Sequence, residues 1–462
     1  MRNPWSASGH EPLASMAVDE LLTRDYASRP GLVHEGLRDK YGPVAPVDLL
    51  GLPVWVVLGY PQALEVLRDE RGVWSKRLAH WRARSEGLVP ADWPVRPLIE
   101  VENSTRQGGQ RLSEFRAAWS AALAPFQDRA QPQARQLEAA VRSYADDLIS
   151  ELSEGGGRAG WADLCAQYTR PLPLMVIGRL LGFESGPSDD VIMDMWRLMD
   201  GSPDAGAAAQ RLIGALTGLA ADKMARPGDD FPSYMLAARP KFTVEELSLE
   251  LAMLVGFVGD FTGSLISNTV AEVITGNVAA RTSLSDGMIK ETVNRVAMAS
   301  PPLANTFRFP IVDTKLGDYT IAAGDTVLVS IAAAHADPQF TGGINPDFML
   351  SSRAHLAWGA GAHHCLGRQL ATMITAVAVS RLFDRFSELE LSLPADQLPW
   401  RYSPLMRSLR SLPVRFELSG TPAPRPVSAA PAGATEEPAT TAARDPRPSG
   451  IWRIPRVLRR GR

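Results

Sequence analysis

The sequence predicts a mainly α chain with a smaller β region, followed by a tail that does not fold with it. Three observations carry this expectation. Ala-, Leu- and Arg-rich stretches with helical patterning dominate from about 112 to 278. Two islands rich in β-branched residues stand near 41–58 and 318–331. The composition changes sharply at Gly420.

In chain order, 41–58 reads as paired short strands, with Val54-Trp55-Val56-Val57-Leu58 the clearest, and Pro61 to Arg68 as a helix. The stretch 112–153 is helical in pattern until Ser153-Glu154-Gly155-Gly156-Gly157 breaks it, and more helices run to about 225. Leu247 to Val278 forms a long apolar helix suited to crossing a large domain; Glu250, Asp260 and Glu272 interrupt it too often for a membrane span. Strands return at Tyr319-Thr320-Ile321 and Thr326-Val327-Leu328-Val329, and a last helix covers 366–384.

From 421 to 450 the chain is Pro, Ala, Thr and Arg with almost no large apolar residue. It cannot bury enough surface to offset its ordering entropy and reads as a disordered linker. Residues 451–462 interleave five arginines with Ile, Trp, Val and Leu, a basic amphipathic tail that suits an anionic membrane surface or an acidic protein. The expected organisation is a folded domain over 1–420, the linker over 421–450 and the tail over 451–462.

The chain has 462 residues, 45% hydrophobic and 21% charged, with a formal net charge of −3. That balance implies a globular protein with no global attraction to nucleic acid. The start, Met1-Arg2-Asn3-Pro4-Trp5, carries no apolar signal run, so the expected location is cytoplasmic. Cys165 and Cys365 are too far apart in sequence to suggest a zinc site or a disulfide framework, and Cys165 reads as core.

Cys365 has a different context. It follows His363 and His364 in a glycine-rich turn, Trp358-Gly359-Ala360-Gly361, and precedes an apolar helix. A helix start offers partial positive charge and free N–H groups to a thiolate, which is how a soft anion is held against an iron.

This peptide resembles the haem-binding loop of the cytochrome P450 family, F-G-x-G-x-H-x-C-x-G, with Trp358 in place of Phe and with Gly359, Gly361, His363, Cys365 and Gly367 all matching. The glycines allow tight backbone beside the porphyrin. The likeness extends over about 30–418: Tyr41-Gly42-Pro43-Val44, Pro302 with Arg308, Ala334-His335-Ala336-Asp337-Pro338, then Phe348, Arg353 and His355, and Trp400-Arg401 through Leu412-Pro413-Val414. It implies a long central helix over haem b, Cys365 as iron ligand with His363 beside it, and Arg116, Arg308 and His355 as partners of the haem propionates. It also implies oxidation of a small organic molecule with O2 and electrons from a ferredoxin and its reductase. The substrate is expected between the central helix and the 80–108 loop, lined by Trp81, Trp93, Leu98 and Ile99.

Three departures set this chain apart from the usual pattern. The central-helix motif A/G-G-x-D/E-T becomes Phe257-Val258-Gly259-Asp260-Phe261-Thr262, which keeps the acid and replaces the threonine with a side chain unable to relay a proton. Asp260 and Thr262 are therefore the candidate proton-delivering residues. E-x-x-R is missing: its positions fall on Arg295 and Met298. The histidine of H-x-x-x-R becomes Leu112, while Arg116 remains. Together these resemble an atypical actinobacterial branch, some of whose members are encoded beside regulatory modules. The alternative functional reading is thus a non-oxygenating or peroxide-using haem-thiolate protein in a regulatory or signalling complex.

Overall fold

The computed structural model describes residues 12–152, 158–183, 189–276, 282, 284, 287–342 and 354–419. The expectations for Phe348, Arg353, the 153–157 break, the linker and the tail fall outside them.

The expected class holds: helices dominate and three small sheets sit among them. The strands are β1 (Asp19–Glu20), β2 (Val44–Asp48), β3 (Pro53–Val57), β4 (Trp74–Ser75), β5 (Ala159–Asp163), β6 (Asn305–Pro310), β7 (Thr314–Leu316), β8 (Tyr319–Ile321), β9 (Val327–Ser330), β10 (Phe386–Leu391) and β11 (Pro413–Leu418). Six of them form one sheet in the order β1-β2-β3-β9-β6-β4. β2 and β3 pair antiparallel from Val44↔Val57 to Asp48↔Pro53, as the two apolar runs predicted. β9 is buried at every residue and lies between β3 and β6, which is why it reads as Val-Leu-Val without polar alternation. Arg308 is fixed by this sheet, opposite Val327.

The helical stretch from 112 is two helices, Gly109–Gln127 and Pro132–Leu152. Asp128 accepts from the Ala130 N–H at 3.0 Å in the connecting turn, and Pro132 opens the second helix, where its missing N–H costs nothing.

The central helix spans Val244–Ile274. Thr243 and Glu246 cap it reciprocally, satisfying two end N–H groups. Its middle, Val255–Phe261, winds more loosely as a π-helical segment before regular helix resumes at Thr262–Ile274. By length and composition this helix could cross a membrane, yet 67% of its apolar window is buried inside the protein, where it joins the largest hydrophobic cluster.

Candidate active site

The loop 356–367, the central helix, the 109–127 helix and β6 enclose a cavity with about 1510 Å3 of space between its lining atoms, part of it open to solvent. Cys365 lines this cavity, its surface open to the cavity space while protein atoms surround the thiol on its other sides. Backbone bonds shape its loop: the Cys365 N–H donates to Trp358 O at 2.8 Å, and Gly359 N–H to Leu356 O at 2.8 Å. Gly359 and Gly361 both have positive φ, +72° and +62°. A Cβ on Gly361 would lie 2.6 Å from the Arg68 carbonyl oxygen. Close seating on the end of the Tyr60–Arg68 helix therefore requires this glycine, a constraint separate from room for a ligand.

Burial pushes the Cys365 thiol above its ordinary range, against the opposing pull of the Gly367 and Arg368 N–H groups and the Arg116 and Arg368 charges. The protein alone thus leaves it a thiol at neutral pH; a coordinating metal deprotonates a thiol outright.

Cations line the cavity without carboxylate partners. Among the described residues Lys76, Arg116 and Arg308 face it without a salt-bridge partner, and His363 stands beside them. Arg308 bonds only to Thr306 Oγ1 (3.2 Å) and the Phe307 carbonyl (2.8 Å), and Lys76 has no hydrogen-bond or ion-pair partner among the described residues. Burial, together with Arg308 and Arg106, pulls the Lys76 ammonium well below its usual range. Burial and repulsion from Arg106 bring Arg308 down to about 10. Burial, then Lys76, Arg308, Arg116 and Arg106, press His363 down to about 2, so it is neutral. Buried cations are normally paired. A set without acids, around a cavity with an inward thiol, fits an iron-bearing group that carries carboxylates.

The expected site residues separate. Cys365, His363, Arg116, Arg308 and Thr262 come together around the cavity. Arg116 also donates to the His364 carbonyl at 2.8 Å. His355 is not among the lining residues: its Nε2 lies 3.0 Å from Asn294 Oδ1, and its Nδ1 accepts from the Ala357 N–H at 3.3 Å. It braces the loop from behind. Asp260 is also absent from the lining. Its carboxylate turns to the opposite side of the central helix, 2.5 and 3.3 Å from Arg401 and 3.4 Å from Arg170. Burial raises this carboxyl, but Arg401 and Arg170 hold it below its ordinary value overall.

Thr262 follows the π-helical segment directly, and its hydroxyl has no partner among the described residues. Beside it Phe261 and Phe257 face the cavity, their rings 5.2 Å apart.

The expected pocket wall needs correction. Trp81, Trp93 and Ile99 are fully buried in the core beside the six-stranded sheet, and Leu98 packs on the helical core. Both indoles have partners there, Trp81 with Thr326 Oγ1 (2.9 Å) and Trp93 with the Leu49 carbonyl (3.1 Å). Large aromatics with satisfied N–H groups anchor cores. From that loop Ser104 and Thr105 reach the cavity instead.

At the E-x-x-R positions, Arg295 is buried and pairs with Glu272 of the central helix, and the Met298 carbonyl lies 2.7 Å from His335 Nδ1. Leu356 N–H donates to His335 Nε2 at 2.7 Å, so the proton sits on Nδ1 and points to Met298. Burial brings His335 down to about 3, keeping it neutral. A neutral imidazole therefore ties the Ile289–Ala299 helix to the thiolate loop.

Lys76 and Arg106 escaped the sequence reading. Ser75-Lys76-Arg77 looks like any solvated basic stretch, and nothing local distinguishes it.

No protein-family model matches the chain. It is 31% identical over 420 residues to cytochrome P450 107B1 of Saccharopolyspora erythraea, covering 86% of this chain and 98% of that one. It is 29% identical to the cytochrome P450 monooxygenase PikC of Streptomyces venezuelae, covering 86% and 93%. Among solved structures, CYP154C4 from a Streptomyces species superposes with a TM-score of 0.78 at 25% identity, covering 88% of this chain and all of that one. CYP154A1 from Streptomyces coelicolor gives 0.71 at 29%, covering 86% and 98%. With the thiol, the unpaired cations and the fold agreeing, the chain belongs to the cytochrome P450 family of haem b monooxygenases.

Proposed function

We propose that this protein oxidises a small, largely apolar organic molecule, drawing electrons from a ferredoxin and ferredoxin reductase, through a distal site that departs from its relatives. The observation that carries this reading is Cys365 facing a cavity whose other walls are apolar residues of the central helix and cations without counter-charges. Haem, when bound, would supply oxygen activation, which a thiolate ligand favours. Cys365 would be the iron ligand. Lys76, Arg116 and Arg308 would hold the propionates by charge-assisted bonds, and neutral His363 would add an N–H. Met253, Leu254, Val258 and Leu265 receive the substrate and exclude water.

Protons reach the reacting face through the Thr262 hydroxyl. Asp260 serves that step indirectly, by holding the π-helical segment through Arg401 and Arg170. The missing E-x-x-R and the replaced threonine support placing the chain in the atypical actinobacterial branch that they resemble.

The test is reconstitution with haem. A carbon monoxide difference band at the thiolate position, and product from a panel of apolar compounds with ferredoxin and reductase, support the reading. A thiolate band with no product under that system, nor with peroxide, would favour a regulatory haem protein. That alternative draws on Phe261 occupying the usual hydroxyl's place. The tail, 451–462, is a proposed docking segment for an anionic membrane or acidic partner; its deletion should then weaken liposome or partner binding and leave haem binding intact.

A further inference from the structure

Glu250 is buried in the central helix with no ion-pair partner among the described residues, and burial raises its carboxyl above the ordinary range against the pull of its hydrogen bonds. Its carboxylate instead accepts three hydrogen bonds. Ser104 N–H donates at 2.6 Å, Ser104 Oγ at 2.6 Å and Trp119 Nε1–H at 2.5 Å. Ser104 and Trp119 both line the haem cavity, so the carboxylate stands directly behind its wall.

The two donors sit on different elements, and each element carries a cation: Arg116 lines the cavity, while Arg106 does not line it but lies near enough to act on the charges of Lys76, Arg308 and His363. Ser104 opens the short turn Ser104–Arg106, which Asn103 caps by accepting from the Thr105 N–H at 3.0 Å. Arg106 ends that turn, 8% exposed, its Nε without a partner. Trp119 lies on the Gly109–Gln127 helix, three residues after Arg116 and on the same face. A single side chain thus ties the central helix to both cation-bearing elements.

Apart from the pull of the nearby Glu102 charge, no side-chain bond holds Arg106 among the described residues. It has no ion pair among the described residues, and its charge and those of Lys76 and Arg308 repel one another. Before haem binds, mutual repulsion drives these side chains apart, and the elements bearing them must be restrained from elsewhere. A buried carboxylate that accepts a backbone N–H, a hydroxyl and an indole N–H provides that restraint.

We propose that Glu250 is a positioning residue for cofactor binding: by clamping Ser104 and Trp119 it holds Arg116, on the cavity wall, and the charge of Arg106, on the adjoining turn, in place for the haem carboxylates. The proposal rests on the haem-thiolate reading above.

The test is a double-mutant cycle on haem retention in the full-length holoprotein, followed as transfer of ferric haem to excess apomyoglobin. Glu250→Ala should speed haem loss about tenfold, and Arg106→Ala by a similar factor. If Glu250 works through the turn, the double variant should be less than about threefold faster than Arg106→Ala alone, because coupled residues do not add. Lys76→Ala, on an element Glu250 does not touch, should add in full. An unchanged rate in Glu250→Ala, or full additivity with Arg106→Ala, overturns the proposal. Should Glu250→Ala fail to fold, Ser104→Ala removes one of the three bonds, and the same cycle applies with a smaller effect. Wild-type protein that loads no haem would defeat the haem reading instead; wild-type loading with an additive cycle defeats only the role of Glu250.

Discussion

The two sides of the haem cavity are held by different chemistry. On the cysteine side the contacts are neutral and short: Cys365 N–H to Trp358, Leu356 N–H to His335, His335 to Met298, His355 to Asn294. Across the cavity, the π-helical segment is held by charge, with Asp260 between Arg401 and Arg170, and Asp200 completing the network at 3.1 Å from Arg401. Neutral bonds fix the loop without adding charge beside the sulfur, so the potential at Cys365 is left to Arg116, Arg368 and the N–H groups of the helix start. The ion pairs hold an irregular winding from the far face of the helix and place no carboxylate in the cavity. A ligand loop needs position; a widened helix needs an anchor.

The comparison breaks first at its chemistry. Cys365→Ala should abolish the thiolate carbon monoxide band and all product formation, while the cation set still retains some haem. An intact thiolate band in that variant would remove Cys365 from the iron. The next largest effect belongs to the anchor. Asp260→Ala leaves Arg401, 6% exposed in its side chain, and Arg170, 12%, short of their buried counter-charge. Removing one partner of a buried pair costs about 3–5 kcal/mol. Urea unfolding should show a loss of that size, and one under about 1 kcal/mol would show that charge does not hold this segment.

How much of this could be seen in the sequence follows the same division. The cysteine loop was legible because its constraints are local: spacing between glycines, histidine and cysteine survives as a pattern in one peptide. The β2–β3 pair and the central helix were legible for the same reason. Asp260 looked catalytic because its place in a motif was visible, while its partners Arg401 and Arg170 lie 141 and 90 positions away and only folding brings them together. Trp81 and Trp93 looked like pocket walls because aromatic rings near a site do not declare which way they face. Lys76, Arg106 and Glu250 matter through what surrounds them, and no local spacing encodes that. The sequence likens His355 to a propionate contact, while in the structure its ring bonds to Asn294 Oδ1 and the Ala357 N–H.

The proton path sharpens the distal side. Positioned proton transfer is typically worth 10²–10⁴-fold. Thr262→Val, close to the same volume without the hydroxyl, should lower product formation about 10²-fold while haem retention and the carbon monoxide band stay as they were. Phe261→Thr, which returns a hydroxyl to the neighbouring position, should raise product formation in the Thr262→Val background. Equal turnover in wild type and Thr262→Val would separate this protein from hydroxyl-assisted oxygenation and point to the peroxide-driven or regulatory alternative.

The smallest effect tests the comparison most directly, because the two sides should fail in different pH windows. His335 is neutral in the fold, at about 3 against 6.5 for the free side chain. Between those values the unfolded chain carries a proton that the folded one does not. The contribution of His335 is therefore complete above pH 6.5 and drains as pH falls toward 3, with about 2 kcal/mol gone by pH 5. Asp260 is held below its ordinary 3.8, so its contribution is complete above 3.8 and is lost only below it. The groups around His335 are the Met298 carbonyl, the Leu356 N–H, the Phe340 ring and His355, whose ring centroid is 5.9 Å away; no carboxylate is among them to rescue a charged imidazole. Unfolding free energies at pH 7 and pH 5 should thus fall further for wild type than for His335→Gln, by about 2 kcal/mol. His34, also buried and neutral at about 3, weakens both proteins alike and cancels from the difference. Equal losses in the two proteins would mean that the cysteine side does not depend on a neutral imidazole, and the contrast between the two walls of the cavity would lose its cysteine half.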